Sequence, residues 1–269
     1  MKIFDAHAHI FPPKIEAAAV HAIGAFYDRP ELMAHPGSPE ELSSDMSRAG
    51  ICRALVFSTA TTTHQVESID RFILQSCRAN PALIGLGTMH EDYGDFVREL
   101  AFLRENGIHG IKLHPDFQKF DIDSEKMLPI YEEMEARDMF LMVHTGDPRY
   151  DYSHPRRLAR VARLFPRLRC IGAHFGGWGV WPLGEELLAG LPNVWVDTSS
   201  TLGFPQGGPA QARRALAAFD PKHVFFGTDF PMWDPAEELK RLLALDLPQD
   251  RLEDILWNNF QNFYHYDTL

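Results

Sequence analysis

The stretch Lys2-Ile-Phe-Asp-Ala-His-Ala-His9 is an apolar run that ends on two histidines spaced two apart. Read as a strand, its period of two turns Asp5, His7 and His9 to one face, so two imidazoles stand side by side at the strand's end. The same residue types close three later runs, in Val143-His144-Thr145-Gly146, Ala173-His174-Phe175-Gly176-Gly177 and Gly227-Thr228-Asp229-Phe230-Pro231. Together they supply five imidazole or carboxylate groups, a set that suits zinc, iron, nickel or manganese.

Working outward, short apolar runs recur over Lys2 to His9, Cys52 to Thr59, Ala82 to Met89, His109 to Pro115, Phe140 to Thr145, Arg169 to Phe175, Val194 to Ser199 and His223 to Asp229. From the second onward they end near residues 58, 88, 114, 145, 174, 199 and 229, a spacing of 25 to 31 residues that fits one strand, one helix and two loops. Helical periodicity fills the gaps: Phe96, Leu100 and Leu103 precede a stop at Asn106-Gly107, and Met127, Ile130, Tyr131 and Met134 stripe the segment from Ser124 to Arg137. Alternating strands and helices predict parallel pairing, and eight such units predict one (β/α)8 TIM barrel over residues 1–269. An open doubly wound sheet is the alternative, but it would keep the chemically rich ends of strands one, four, five, six and eight apart. Closure makes the first and eighth neighbours.

Two segments break the period. The gap between strands one and two carries Phe11-Pro12-Pro13 and a Pro/Gly-rich stretch from Arg29-Pro30 to Ser38-Pro39, and it reads as an insertion over the mouth of the barrel. Pro248 to Tyr264, with an apolar stripe of Leu252, Ile255, Leu256 and Phe260, reads as an extra C-terminal helix closing the barrel edge.

Composition narrows the function. A 269-residue chain with 45% hydrophobic residues can build a large core, and its net charge of -11, with no basic run longer than Arg156-Arg157 or Arg213-Arg214, argues against nucleic acid and for a small-molecule substrate. Cys52, Cys77 and Cys170 form no C-x-x-C pair and read as reduced thiols. With neither a signal-type leader nor a stretch of about 20 apolar residues, the expected location is the cytoplasm, away from any membrane.

These motifs, with Gly110-Ile-Lys-Leu-His-Pro115, occur in order along essentially the whole chain, which resembles the amidohydrolase superfamily. It is most similar to the amidohydrolase-related branch that includes aminocarboxymuconate-semialdehyde decarboxylase and γ-resorcylate decarboxylase. The resemblance implies that His7, His9, His144 and Asp229 bind one divalent metal, zinc first, with manganese, iron or nickel as alternatives. It also makes His174 either a catalytic acid/base or an extra ligand. Two reactions follow. One is hydrolysis of a lactone, ester or amide by a metal-activated water, with Asp229 and His174 as the catalytic pair. The alternative is metal-dependent, non-oxidative decarboxylation of an aromatic or semialdehyde acid. A third possibility, a non-catalytic binder, predicts loss of one of these five groups, and none is lost.

Lys112 and His114 share a face of the fourth strand. A buried ammonium needs a partner or a modification. In two-metal relatives a carbamylated lysine bridges the ions; here Asp5, expected one layer below His7, is the candidate partner for Lys112, leaving the site mononuclear. Among loop residues, His114 is expected to bind substrate or donate a proton, its alternative being a histidine hydrogen-bonded beneath the loop at Pro115. Arg149 is expected to take a substrate carboxylate, unless it pairs with Asp147 or Asp151. Phe11, Phe117, Trp178 and Trp233 are expected to form an apolar wall for a flat organic acid. The remaining histidines, at 21, 35, 64, 90, 109, 154, 223 and 265, receive no chemistry. A homodimer is the expected assembly.

Overall fold

A computed structural model describes residues 1–29, 33 and 35–264. Residues 30–32 and 34 of the Pro/Gly-rich stretch, and His265, lie outside the described residues. Parallel strands β1 (Phe4–His9), β2 (Arg53–Phe57), β3 (Leu83–Gly85, resuming at Gly87–Thr88), β4 (Gly110–Leu113), β5 (Phe140–Val143), β6 (Cys170–Gly172), β7 (Val194–Asp197) and β8 (Val224–Phe225) pair in chain order. The ring closes where Ala6 N–H donates to Phe226 O at 2.8 Å, Asp229 N–H to His7 O at 2.8 Å and His9 N–H to Phe230 O at 2.7 Å. The eighth strand is shorter than its apolar run, since His223 belongs to a preceding turn.

The strand period sorts side chains into two layers. On β2, Leu55 and Phe57 face the barrel interior while Ala54 and Val56 face the helices; on β5, Phe140 and Met142 point inward and Leu141 and Val143 outward. Continuing that alternation carries His144 inward at the tip of β5, and Lys112 and His114 inward on β4. β1 departs from it. Phe4 and Ala6 belong to the interior layer, yet Ala8 belongs to the outer one, and the pairing with β2 shifts register between Asp5 and Ala8. This bulge inverts the parity partway along the strand. His7 and His9 remain inward, while Asp5 is turned against the β8 loop. The expectation that all three share one face fails for this reason.

The predicted insertion contains helices α1 (Glu16–Phe26) and α2 (Pro39–Ala49). α2 starts where Ser38 accepts the Glu41 N–H with Pro39 in the first turn, and stops at Gly50 in the left-handed conformation, φ 71°. The remaining helices, α3 (Val66–Ala79), α4 (Phe96–Glu105), the short α5 (Pro115–Gln118), α6 (Leu128–Ala136), α7 (Pro155–Leu164), α8 (Trp181–Leu188), α9 (Gly208–Ala218) and α10 (Pro235–Leu243), follow the strands in turn. At the far end α11 (Gln249–Glu253) passes through a π turn into α12 (Asn259–Tyr264). Phe260 stacks on Phe4 at 3.9 Å and joins Phe225 and Phe263 in the interior layer. The C-terminal helix is therefore more than an edge cover: it plugs the barrel floor. No helix among the described residues is long and apolar enough to cross a membrane.

Candidate metal centre and its cavity

The C-terminal ends of β1, β5, β6 and β8 meet at one point. His7 Nε2, His9 Nε2 and Asp229 Oδ1 form a triangle with edges of 3.3, 3.4 and 3.3 Å. His174 contributes a ring nitrogen within 4.8 Å of donor atoms of His7 and Asp229, and its Nε2 lies 3.0 Å from His144 Nδ1. The backbone is bent to make this possible. His174, Ser200 and Asp229 adopt φ of 60°, 48° and 61°, values that non-glycine residues rarely take and that gather where a fold holds functional groups in place. Gly146, at φ 89°, lets the loops after β5 and β6 touch, since a Cβ there would stand 2.5 Å from the backbone of Gly177 and Trp178.

Whether these groups suit a cation can be decided from their hydrogens. His7 Nδ1 lies 3.0 Å from Asp197 Oδ2, and His174 Nδ1 contacts Ser199 Oγ at 2.8 Å and Ser199 O at 3.2 Å. His144 Nε2 lies 2.8 Å from Gly146 O. Each of these nitrogens is the N–H donor, so the opposite nitrogen of each neutral ring carries a lone pair. Burial keeps the rings neutral: with Lys112 beside it, His7 is pushed down to about 3, and His144 and His174 are also lowered. Asp229 is held well below the usual carboxylate range despite its burial, and the Ser200 hydroxyl donates to its Oδ2. The lone pairs of His144 and His174 thus face one another at 3.0 Å, and that of His7 faces Asp229 Oδ1 at 3.3 Å, which is repulsive until a cation lies between them. Donor atoms about 2.1 Å from a common ion in tetrahedral array stand roughly 3.4 Å apart, so the spacing fits a divalent metal.

The other expected residues divide. Lys112 is fully buried, with Nζ 3.4 Å from His7 Nε2 and 4.7 Å from the centre of the Phe57 ring, and burial pushes it down to about 8. Asp5 is not its partner. Its carboxylate accepts instead from His7 N–H at 3.0 Å, Thr228 N–H at 2.9 Å and Thr228 Oγ1 at 2.6 Å, a consequence of the β1 bulge. Arg149 forms a two-pronged pair with Asp147, at 3.0 and 2.7 Å, and donates to Phe26 O at 2.6 Å. It is therefore a clasp between the β5 loop and the end of α1, and is not free for a substrate carboxylate.

The cavity over the centre is lined by His9, Ile23, Tyr27, Met33, His114, Phe117, His144, His174, Asp229, Pro231 and Met232. Of the expected apolar wall only Phe117 lines it. Phe11 stacks behind His9, Trp178 packs against Tyr27 at 5.0 Å, and Trp233 donates through Nε1 to Ser200 Oγ, which in turn donates to Asp229 Oδ2. His114 does reach the cavity, sandwiched between Phe117 at 3.6 Å and His144 at 4.0 Å, with Nε2 2.9 Å from Tyr27 Oη. Sequence reasoning passed over Tyr27, which sits in the insertion with no motif around it. It also passed over Asp197 and Ser199, although a carboxylate at the tip of the run Val194-Trp-Val-Asp197 is the same kind of signal as Asp229.

Eight parallel strands closed into a ring, with a cluster of metal-ligand type at their C-terminal ends, define a (β/α)8-barrel enzyme scaffold. The chain belongs to the amidohydrolase family, whose profile, described as "Amidohydrolase", matches residues 4–265. No curated protein matches it. Among solved structures it is similar to an uncharacterised TIM-barrel protein of Bordetella bronchiseptica, at 18% identity and TM-score 0.81 over 100% of both chains. It is also similar to 5-carboxyvanillate decarboxylase of Novosphingobium aromaticivorans, a complex with manganese and a nitrobenzoic acid, at 16% identity and TM-score 0.78 over 98% of this chain and 96% of that one. A third is a probable 2-pyrone-4,6-dicarboxylic acid hydrolase of Acinetobacter baumannii, with citric acid bound, at 16% identity and TM-score 0.72 over 98% and 100%.

Proposed function

We propose that the protein is a metal-dependent, non-oxidative decarboxylase of a small aromatic or conjugated carboxylic acid. One observation carries this reading: no arginine or lysine lines the cavity among the described residues, because Arg149 is held by Asp147. A bound acid then finds its counter-charge only at the metal centre, which puts the bond between ring carbon and carboxylate at the reacting point. His114, Phe117 and Tyr27 offer flat surfaces to the ring. The kinship in fold with decarboxylases of aromatic acids, one of them a 2,6-dihydroxybenzoate decarboxylase with that acid bound, points the same way.

In this assignment His7, His9, His144 and Asp229 hold one divalent ion, zinc or manganese. The ion, when bound, supplies a Lewis acid for the carboxylate and any neighbouring hydroxyl. The carbon–carbon bond breaks, its electron pair passes to the ring carbon, carbon dioxide leaves, and the ring carbon takes a proton. His174, its Nδ1–H held by Ser199, relays that proton from water through its bare Nε2. Lys112 lies deeper than the substrate and is an unmodified cation beside His7.

Hydrolysis of a lactone, ester or amide is the second reading. It is favoured by the position of Asp229, which bounds both the cavity and the nitrogen cluster and so can take a proton from water. The two separate in one experiment. Protein loaded with manganese or zinc is incubated in 18O-water with hydroxybenzoates, 2-pyrone carboxylates and lactones. Carbon dioxide released from an aromatic acid without 18O in the product supports decarboxylation; 18O incorporation without carbon dioxide replaces it with hydrolysis.

A further inference from the structure

Asp197 lies at the tip of β7, outside the cavity lining, and is fully buried. Its carboxylate faces four donors. Oδ2 accepts from His7 Nδ1–H at 3.0 Å, and Oδ1 accepts from His174 N–H at 3.1 Å, Ser199 N–H at 3.0 Å and the Ser199 hydroxyl. With its proton given to Asp197, Ser199 Oγ has only lone pairs left for the two imidazoles beside it, His174 Nδ1 at 2.8 Å and His7 Nδ1 at 3.1 Å. Every hydrogen in this cluster therefore points toward Asp197 and Ser199. Both rings are left with bare Nε2 atoms, turned to the side of Asp229.

We infer that Asp197 and Ser199 are positioning residues that fix His7 and His174 as Nδ1–H tautomers, so that one ring is kept ready for the metal and the other for the proton. Neither residue lines the cavity, and the pair acts through the two histidines. The inference rests on the proposed function for the roles of the rings, while the tautomers themselves follow from the hydrogen bonds alone.

The geometry also sets how each residue should fail. In Asp197→Asn, the Oδ1 position must stay an oxygen because three donors face it, so the new amide nitrogen takes the Oδ2 position opposite His7 Nδ1. Two donors cannot share that contact. His7 resolves it by moving its hydrogen to Nε2, which removes a ligand nitrogen while side-chain volume is unchanged. In Ser199→Ala, His7 keeps Asp197, and His174 loses the acceptor at 2.8 Å while keeping the Ser199 carbonyl at 3.2 Å.

The test joins two measurements. Histidine tautomers are read from 15N chemical shifts of metal-free protein labelled at the imidazole nitrogens. The affinities for Zn2+ and Mn2+ are read by competition with a chromogenic chelator. The expected result is Nδ1–H at His7 and His174 in the wild type, Nε2–H at His7 in Asp197→Asn, and a 10- to 100-fold loss of metal affinity in that variant. Ser199→Ala should alter the His174 resonances and hold metal affinity within about threefold. Nε2–H at His7 in the wild type, or an Asp197→Asn variant with unchanged tautomer and affinity, overturns the inference. Asp197→Glu, longer by one methylene, should recover part of the affinity; a merely structural role would leave it no better than Asn. None of these readouts uses a substrate, so failure to find decarboxylation would strike the proposed function and not this assignment.

Discussion

Replacing Phe260 with alanine should strongly destabilise the barrel floor. The ring is 1% exposed, stacks on Phe4 at 3.9 Å with an interplanar angle of 14°, and meets Phe225 edge-on at 5.3 Å. A buried phenylalanine removes on the order of 200 Å2 from water, about 5 kcal/mol at 25 cal/mol per Å2 as an upper bound, and a stacked pair adds roughly 1 kcal/mol. Alanine keeps a small part of that burial, so the expected loss is about 4 kcal/mol, within the range for buried Phe→Ala changes. Phe260→Leu, which keeps most of the volume, should lose about 1.5 kcal/mol or less. Urea unfolding followed by circular dichroism measures both, read at constant m-value. A loss below about 1 kcal/mol for alanine would mean that α12 does not complete the interior layer, and the account of the floor would be wrong.

Three further outcomes are expected. Asp229→Asn should lower turnover by roughly 10^3-fold or more with an unchanged circular-dichroism spectrum, and near wild-type activity would remove Asp229 from the catalytic centre. Asp70, on α3, is buried and bonded to Thr88 N–H at 2.8 Å; burial raises its carboxyl well above the usual range, with Glu99 adding to the rise. The folded state thus holds this proton more tightly than the unfolded chain, so stability falls as pH climbs from about 4 toward the raised value, and Asp70→Asn should gain about 1–3 kcal/mol at pH 8 and less at pH 5 in paired thermal melts. Equal gains at both would contradict a raised Asp70. Arg149→Ala should free the end of α1 from the β5 loop and speed chymotryptic cleavage after Phe26 or Tyr27 roughly 10-fold, with the barrel melting unchanged; equal cleavage rates would show that the clasp carries no energy.

Much of this molecule was legible because period and position were enough. The spacing of strand ends gave the barrel, and His7, His9, His144, His174 and Asp229 came together because each closes an inward-facing run. What was hidden depended on a break in period or on pairing. The β1 bulge inverts parity between Asp5 and His7, and no residue type in Phe4-Asp-Ala-His7 announces an extra residue in a strand. Arg149 has carboxylates at 147 and 151 within reach of sequence, but only three dimensions show that Asp147 takes it two-pronged. Tyr27 enters the cavity because α1 folds back over the mouth, a long-range placement that local composition does not encode.

The floor plug also dictates an order of events during synthesis. Phe4 and Ala6 leave the ribosome well ahead of the groups that cover them, Phe225 and Phe260. Until then β1 has only β2 beside it, and its two histidines have no Asp229. The polypeptide must therefore hold a half-built ring with an open, apolar floor until β8 and α12 have been made. Finishing α12 seals the interior and completes the ligand set within the same few dozen residues.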